Sequence, residues 1–154
     1  MKLPFLIQGN EILTRKASEI TENDESLKRL ISDMYETLGS TIGCGLSAPQ
    51  IGQSLRLFIV DADKMSGFYP ECKDFKRTFI NPRIVKTSRD TSVLSEGCLS
   101  VPGIMKEVRR PNKVTLEYLD ENFSLHKEKF YGFNARIILH ECDHLEGKLM
   151  TDYK

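Results

Sequence analysis

The stretch RIILHECDHLEG, residues 136–147, sets His140 and His144 four positions apart, with Glu141 directly after the first. On a helix that spacing stacks two imidazoles on one face, a turn apart, so that a ring nitrogen from each can converge on one ion. Glu141 lies about 100° round the helix from His140, within reach of a water beside such an ion without having to ligate it, which is where a general base belongs. The chain has only 3 histidines, and two of them fall in this pattern, which favours a metal site over a helix that happens to carry two polar residues.

Two imidazoles leave a metal site incomplete. Only ten residues follow His144, and Glu146 falls on roughly the opposite side of the helix, so the third ligand is expected upstream. The candidates are Cys44, Cys72, Cys98, His126 and a number of carboxylates. His126 sits in a strand pattern and reads as a solvated residue. Cys142 is turned away from the histidine face and reads as a small buried apolar residue. Cys98 stands out by its context, LSEGCLSVPG, between a glycine and a turn-forming segment where the backbone can swing a thiolate toward an ion. Spacing alone leaves Cys44 and Cys72 open as well.

The elements that must position these groups are legible as periodicities. Leu27, Leu30, Ile31, Met34 and Leu38 recur at spacings of three and four after Thr21, Asn23 and Asp24, which predicts an amphipathic helix with a polar cap, ended by Gly39. A second helix is expected from Ala135 to Glu146, with Asn134 as N-cap and Gly147 as a left-handed stop. Residues 55–62 and 78–85 are rich in branched and aromatic residues and read as strands. Residues 113–130 alternate around Asp120, Glu121 and Asn122, the pattern of a hairpin. Residues 63–76 lack periodicity and read as a surface excursion. The fold class that follows is α+β, mostly antiparallel β-sheets around a buried C-terminal HExxH helix, with an N-terminal amphipathic helix.

Composition narrows the function classes. A chain of 154 residues, 40% hydrophobic and without low-complexity segments, suits a single catalytic domain over 1–154. Lys and Arg number 22 and Asp and Glu 22, so the one-sided basic balance of a protein that grips phosphate backbones is missing and no direct nucleic-acid binding is expected. The opening MKLPFLIQGN is too short an apolar run for a signal core or a membrane span, so no membrane partner and a cytoplasmic location are expected. In that compartment the four cysteines read as thiols, and the lack of any CxxC pair argues against a four-cysteine zinc site.

Three short motifs in order, GCGLSAPQ (43–50), EGCLS (96–100) and HECDHLEG (140–147), resemble the peptide deformylases, and the resemblance runs nearly the whole chain. It implies a metal-dependent hydrolase that removes the formyl group from N-formylmethionyl nascent peptides and releases formate. Cys98, His140 and His144 would hold one divalent metal ion, Fe2+ in the cell with Zn2+ or Ni2+ as substitutes; one thiolate and two imidazoles suit any of the three. By the same resemblance Glu141 moves the proton, while the Gln50 side-chain amide and the Leu99 backbone N–H receive the oxyanion. Gly43 and Gly45 would lie beside the peptide. Phe133 and Ile137, on or near the His140 face, with Leu46 and Leu94, are candidate walls of a methionine slot, core packing being the other use for such residues. Asp143 is a candidate to orient a ligating imidazole, and Glu96 to pair with Arg110 or Arg136. Ser47 stands where the family usually has alanine, and Leu139 where it usually has glutamine. A transient ribosome contact stays open, the segment after the third motif being short. The competing readings are an HExxH endopeptidase, which needs a more open cleft, and a non-catalytic metal-binding homologue, which would have no use for Gln50 and Glu141.

Overall fold

Leu57, Phe58, Ile59 and Val60 are all fully buried, so the strand that carries them must be covered on both faces. Successive side chains point oppositely: Phe58 and Val60 enter one apolar cluster and Leu57 and Ile59 another. The computed structural model describes residues 1–153 and shows what covers each face. The strand is β2 (Leu57–Asp61), second in a five-stranded antiparallel sheet of order β1-β2-β3-β6-β7, where β1 is Gly45–Ser47, β3 Lys76–Thr87, β6 Lys113–Leu119 and β7 Leu125–Tyr131. Helix α1 (Glu25–Gly39) lays Leu27, Ile31, Met34 and Leu38 on one face. The other face receives α2 (Gly132–Leu145), through Ala135, Ile138, Leu139, Cys142 and Leu145, against Phe58, Phe79, Leu116 and Phe130.

The architecture is α+β, as expected. Asp24 caps α1 by accepting the Leu27 amide at 2.9 Å. The hairpin at 113–130 forms as β6 and β7, with Glu117 opposite Lys127 and Val114 opposite Phe130. Strands β4 (Thr91–Cys98) and β5 (Val101–Pro111), joined by a two-residue turn at Leu99 and Ser100, form a separate two-stranded sheet that the sequence reading did not separate from its surroundings. Their burial alternates poorly because Val101 and Val108 are the only residues of the hairpin buried in an apolar cluster, with Leu149 and Met150.

Two local expectations are corrected. Helix α2 begins at Gly132, so Asn134 lies inside its first turn; the helix start is held by Glu71, whose carboxylate accepts the Phe133 amide at 2.8 Å and whose carbonyl accepts the Asn134 side-chain amide at 2.8 Å. The 63–76 segment is therefore more than a surface excursion. It folds into short 3-10 turns, buries Cys72 fully, stacks Tyr69 on Phe133 with ring centroids 4.3 Å apart and supplies a cap from a distance in sequence. No helix among the described residues is long and apolar enough to cross a membrane.

At its far end α2 stops as expected at Gly147, with φ of 76° and so little room that a Cβ there would lie 2.5 Å from the Thr14 carbonyl oxygen. Ala17 reinforces that contact by donating its amide to the Leu145 carbonyl at 2.8 Å. Gly147→Ala should accordingly lower the unfolding free energy by about 1–3 kcal/mol, through left-handed strain and the clash with backbone. Urea denaturation of the variant against the parent measures this, and equal midpoints would contradict it.

Candidate metal centre

His140 and His144 project from the same face of α2, their ring centroids 5.0 Å apart and their planes at 72°. Cys98, the last residue of β4, reaches them from the two-stranded sheet, with Sγ 3.4 Å from His144 Nε2. One donor atom from each of Cys98, His140 and His144 lies within 4.8 Å of the others, the only such grouping among the described residues. Tetrahedral coordination at ordinary zinc-type bond lengths needs ligand atoms roughly 3.3–3.6 Å apart, so sulfur and imidazole already stand at ligand spacing. The residues fit a divalent cation. Cys44 is half-buried and Cys72 buried outside this group, and His126 pairs with Asp120 at 2.7 Å on the hairpin surface.

Of the two imidazoles, one is aimed by a contact behind it. His140 places Nδ1 2.9 Å from Glu96 Oε1, which leaves Nε2 for the ion. Glu96 also accepts from Arg110 Nε at 2.6 Å, Arg110 Nη2 at 2.9 Å and Arg136 Nη1 at 2.6 Å. Both guanidiniums expected as alternatives are thus bound at once. Asp143 does not orient an imidazole; it accepts from Arg110 Nη1 at 2.9 Å and from the Tyr153 hydroxyl at 2.7 Å. Tyr153 entered no sequence pattern, and nothing in its neighbours could have announced it. His144 has no such support, its Nδ1 being buried without a partner among the described residues.

Electrostatics follow burial and these contacts. Burial pushes the Glu96 carboxyl upward, but hydrogen bonds from His140 and Arg110 and the Arg110 charge outweigh it and hold the group at about 2. Burial pushes His140 down, yet its hydrogen bonds to Cys98 and Glu96 carry it up to about 10. A ligating imidazole must be neutral at the ligating nitrogen, so a cation bound here would displace a proton held there. Burial, with the His140 and Arg110 charges, drives His144 well below its ordinary value, the neutral state a ligand needs.

Glu141 stands beside this group, 3% exposed, with Oε1 buried and unpartnered among the described residues. Burial raises its carboxyl to about 7 against the lowering influence of His140 and Arg110. Gly45 presses on it so closely that an added Cβ would lie 2.7 Å from Oε2 and 3.0 Å from Ile137 Cγ2. A Cβ on Gly43 would meet the Leu99 side chain at 3.2 Å. Gln50 sits in the 3-10 turn after β1 and directs Nε2 toward Cys98 Sγ, 3.7 Å away, and Ser100 Oγ, 3.3 Å away. The N-terminal segment straps both loops: Leu6 donates to the Gln50 carbonyl at 2.7 Å and Gln8 to the Ser100 carbonyl at 2.8 Å.

The expected site residues do not all gather here. Gly43, Gly45, Gln50, Leu99 and Ile137 do. Leu46 is fully buried in the cluster under α1, where it is core. Phe133 is half-buried against Tyr69, and Leu94 is half-buried in β4 opposite Val108.

The polypeptide deformylase family model matches residues 2–154. A peptide deformylase of Flavobacterium psychrophilum is 43% identical over 159 residues, covering 99% of this chain and 82% of its own length. That of Chlorobaculum parvum is 43% identical over 153 residues, covering 99% and 79%. Among solved structures, the peptide deformylase of Thermotoga maritima superposes with a TM-score of 0.91 at 33% identity, over 99% of this chain and 97% of its own. A Met-Ala-Ser-bound class I type b peptide deformylase from Acinetobacter baumannii gives 0.93 at 32% identity, over 100% and 99%. Sequence and backbone agree over their full extent: the chain belongs to the polypeptide deformylase family.

Proposed function

We propose that residues 1–154 form one catalytic domain that hydrolyses the formamide at the N-terminus of N-formylmethionyl nascent peptides, releasing formate, in the cytoplasm. The observation that carries this reading is the convergence of Cys98 from the small sheet on His140 and His144, with a buried carboxyl, Glu141, and a side-chain amide, Gln50, on either side. A metal that was only structural would need neither of the last two.

Cys98, His140 and His144 would hold one divalent cation, which when bound would supply Lewis acidity and lower the pKa of water to roughly 7. Glu141, whose own carboxyl is lifted to about 7, accepts the proton of the attacking water at Oε1 and returns it to the leaving amine. Gln50 Nε2 and the Leu99 N–H, on the two sides of Cys98, donate to the oxygen as it gains charge. Gly43 and Gly45 let extended peptide backbone approach, and Gly45 also allows Glu141 its position. Ile137, against Gly45, is the expected pocket residue that adjoins the reacting groups and would flank a methionine side chain. The closeness of Gly45 and Ile137 to Glu141 favours a formyl hydrogen over the substituted carbonyl an endopeptidase must accept. The metal in the cell is Fe2+, for which Zn2+ and Ni2+ can substitute.

Formate release from a short N-formylmethionyl peptide, assayed anaerobically with metal analysis of the same sample, tests these roles. Glu141→Ala is expected to retain the metal and lose turnover by about 10²–10⁴-fold; Cys98→Ala is expected to lose the metal itself. Substantial turnover in the first variant removes the role given to Glu141. Glu96→Gln, which keeps an acceptor but removes the charge behind His140, should weaken metal binding about 10–100-fold, as read by competition with a chelator; unchanged affinity contradicts that aim-setting role. The iron form should lose activity on exposure to oxygen. Fully active anaerobic protein containing only zinc would rule out iron as the native metal.

A further inference from the structure

The Gln50 carboxamide is held by an oxygen that accepts twice. Oε1 accepts the Ser47 backbone N–H at 2.9 Å and the Ser47 hydroxyl at 3.0 Å. A backbone N–H can only donate, so the atom facing it must be the oxygen, and Nε2 is left on the side of Cys98 Sγ and Ser100 Oγ. Ser47, Gln50 and Ser100 are 0%, 1% and 0% exposed, so bulk water is shut out of this contact.

We infer that Ser47 is a positioning residue for the proposed oxyanion donor: its hydroxyl fixes and polarises the Gln50 carboxamide so that Nε2–H faces the reacting oxygen. This rests on the role given to Gln50 above. With an alanine at 47, the residue usual in the family, only the backbone N–H remains on Oε1. With serine, both lone-pair directions of that oxygen are engaged in the one orientation that the backbone N–H allows. A carbonyl that accepts two bonds also makes its own N–H a stronger donor. The other task for a serine at the start of a 3-10 turn is to stabilise that turn, which would alter unfolding and leave the chemical step alone.

The metal-loaded enzyme and its Ser47→Ala, Gln50→Ala and doubly substituted variants separate these roles in one cycle, with kcat, KM, metal content and melting temperature measured for each. Ser47→Ala is expected to lower kcat about three- to tenfold, the worth of one hydrogen bond made through the transition state, with KM and metal content unchanged. In the Gln50→Ala background the same substitution is expected to change kcat no further. Parental kcat in Ser47→Ala, or an equal fall in both backgrounds, overturns the inference. If Gln50→Ala itself keeps parental kcat, the oxyanion role of Gln50 fails and the inference falls with it. A large loss in Gln50→Ala beside an unaffected Ser47→Ala sinks the role of Ser47 alone.

Discussion

The buried carboxylate of Glu96 is the contact on which the rest of the centre depends. It ties the β4–β5 hairpin, where it resides and where Arg110 lies on the partner strand, to α2 through Arg136 and His140. An isolated carboxylate at 7% exposure would be prohibitively desolvated, and so would either guanidinium. Each of the three charges is tolerable only while the others are in place. A hydrophobic replacement of similar volume could hold the sheet to the helix with no loss of stability, but it could not fix the rotation of an imidazole. The ionic arrangement thus trades stability for the direction of one ring nitrogen.

A second constraint is close approach. Strand β1 passes so near α2 that residue 45 has no room for a side chain, and the atoms it would strike are those of Glu141 and Ile137. The same strand continues directly into the turn bearing Gln50, so one short segment, 45–50, lies against the Glu141 carboxyl at its start and against the thiol at its end. The order of residues in GCGLSAPQ is a consequence: glycine where backbone meets helix, leucine for the core under α1, then a turn that swings an amide back toward the cysteine.

Local periodicity made the two helices, the central strands and the β6–β7 hairpin legible, because each has a regular apolar face against a single core. The β4–β5 sheet was less so. It is half-exposed, and its chemistry comes from Glu96, Cys98 and Arg110, whose placement obeys the needs of the centre and not those of burial. The histidines announced themselves by helical spacing; the thiol, 42 positions before His140, stood out only by its place between a glycine and a turn, and the resemblance of EGCLS to a family motif was needed to choose it over Cys44 and Cys72. Caps made across space were invisible for the same reason. Glu71 belongs to a stretch without periodicity, and Tyr153 reaches Asp143 by tertiary folding alone. Asn134 was the natural choice of cap from sequence, and it was displaced because Gly132, with φ of 63°, lets the chain turn into the helix three residues sooner.

The two carboxyls of the centre show how environment divides labour between like groups. Both are almost wholly withdrawn from water, and burial pushes both upward. Glu96 has direct hydrogen bonds from His140 and two arginines, which overcome that push and hold it at about 2, a permanent anion across the neutral range. Glu141 feels His140 and Arg110 only at a distance, has one oxygen with no protein donor, and rests at about 7. Giving Glu141 a donor of its own would steady the fold and pull its carboxyl back into the ordinary range, at the expense of its ability to accept a proton and then give it up. The two oxygens of that carboxyl are kept from side-chain donors in different ways: Oε1 is buried without a partner among the described residues, and Oε2 is faced by Gly45, which brings backbone and no side chain.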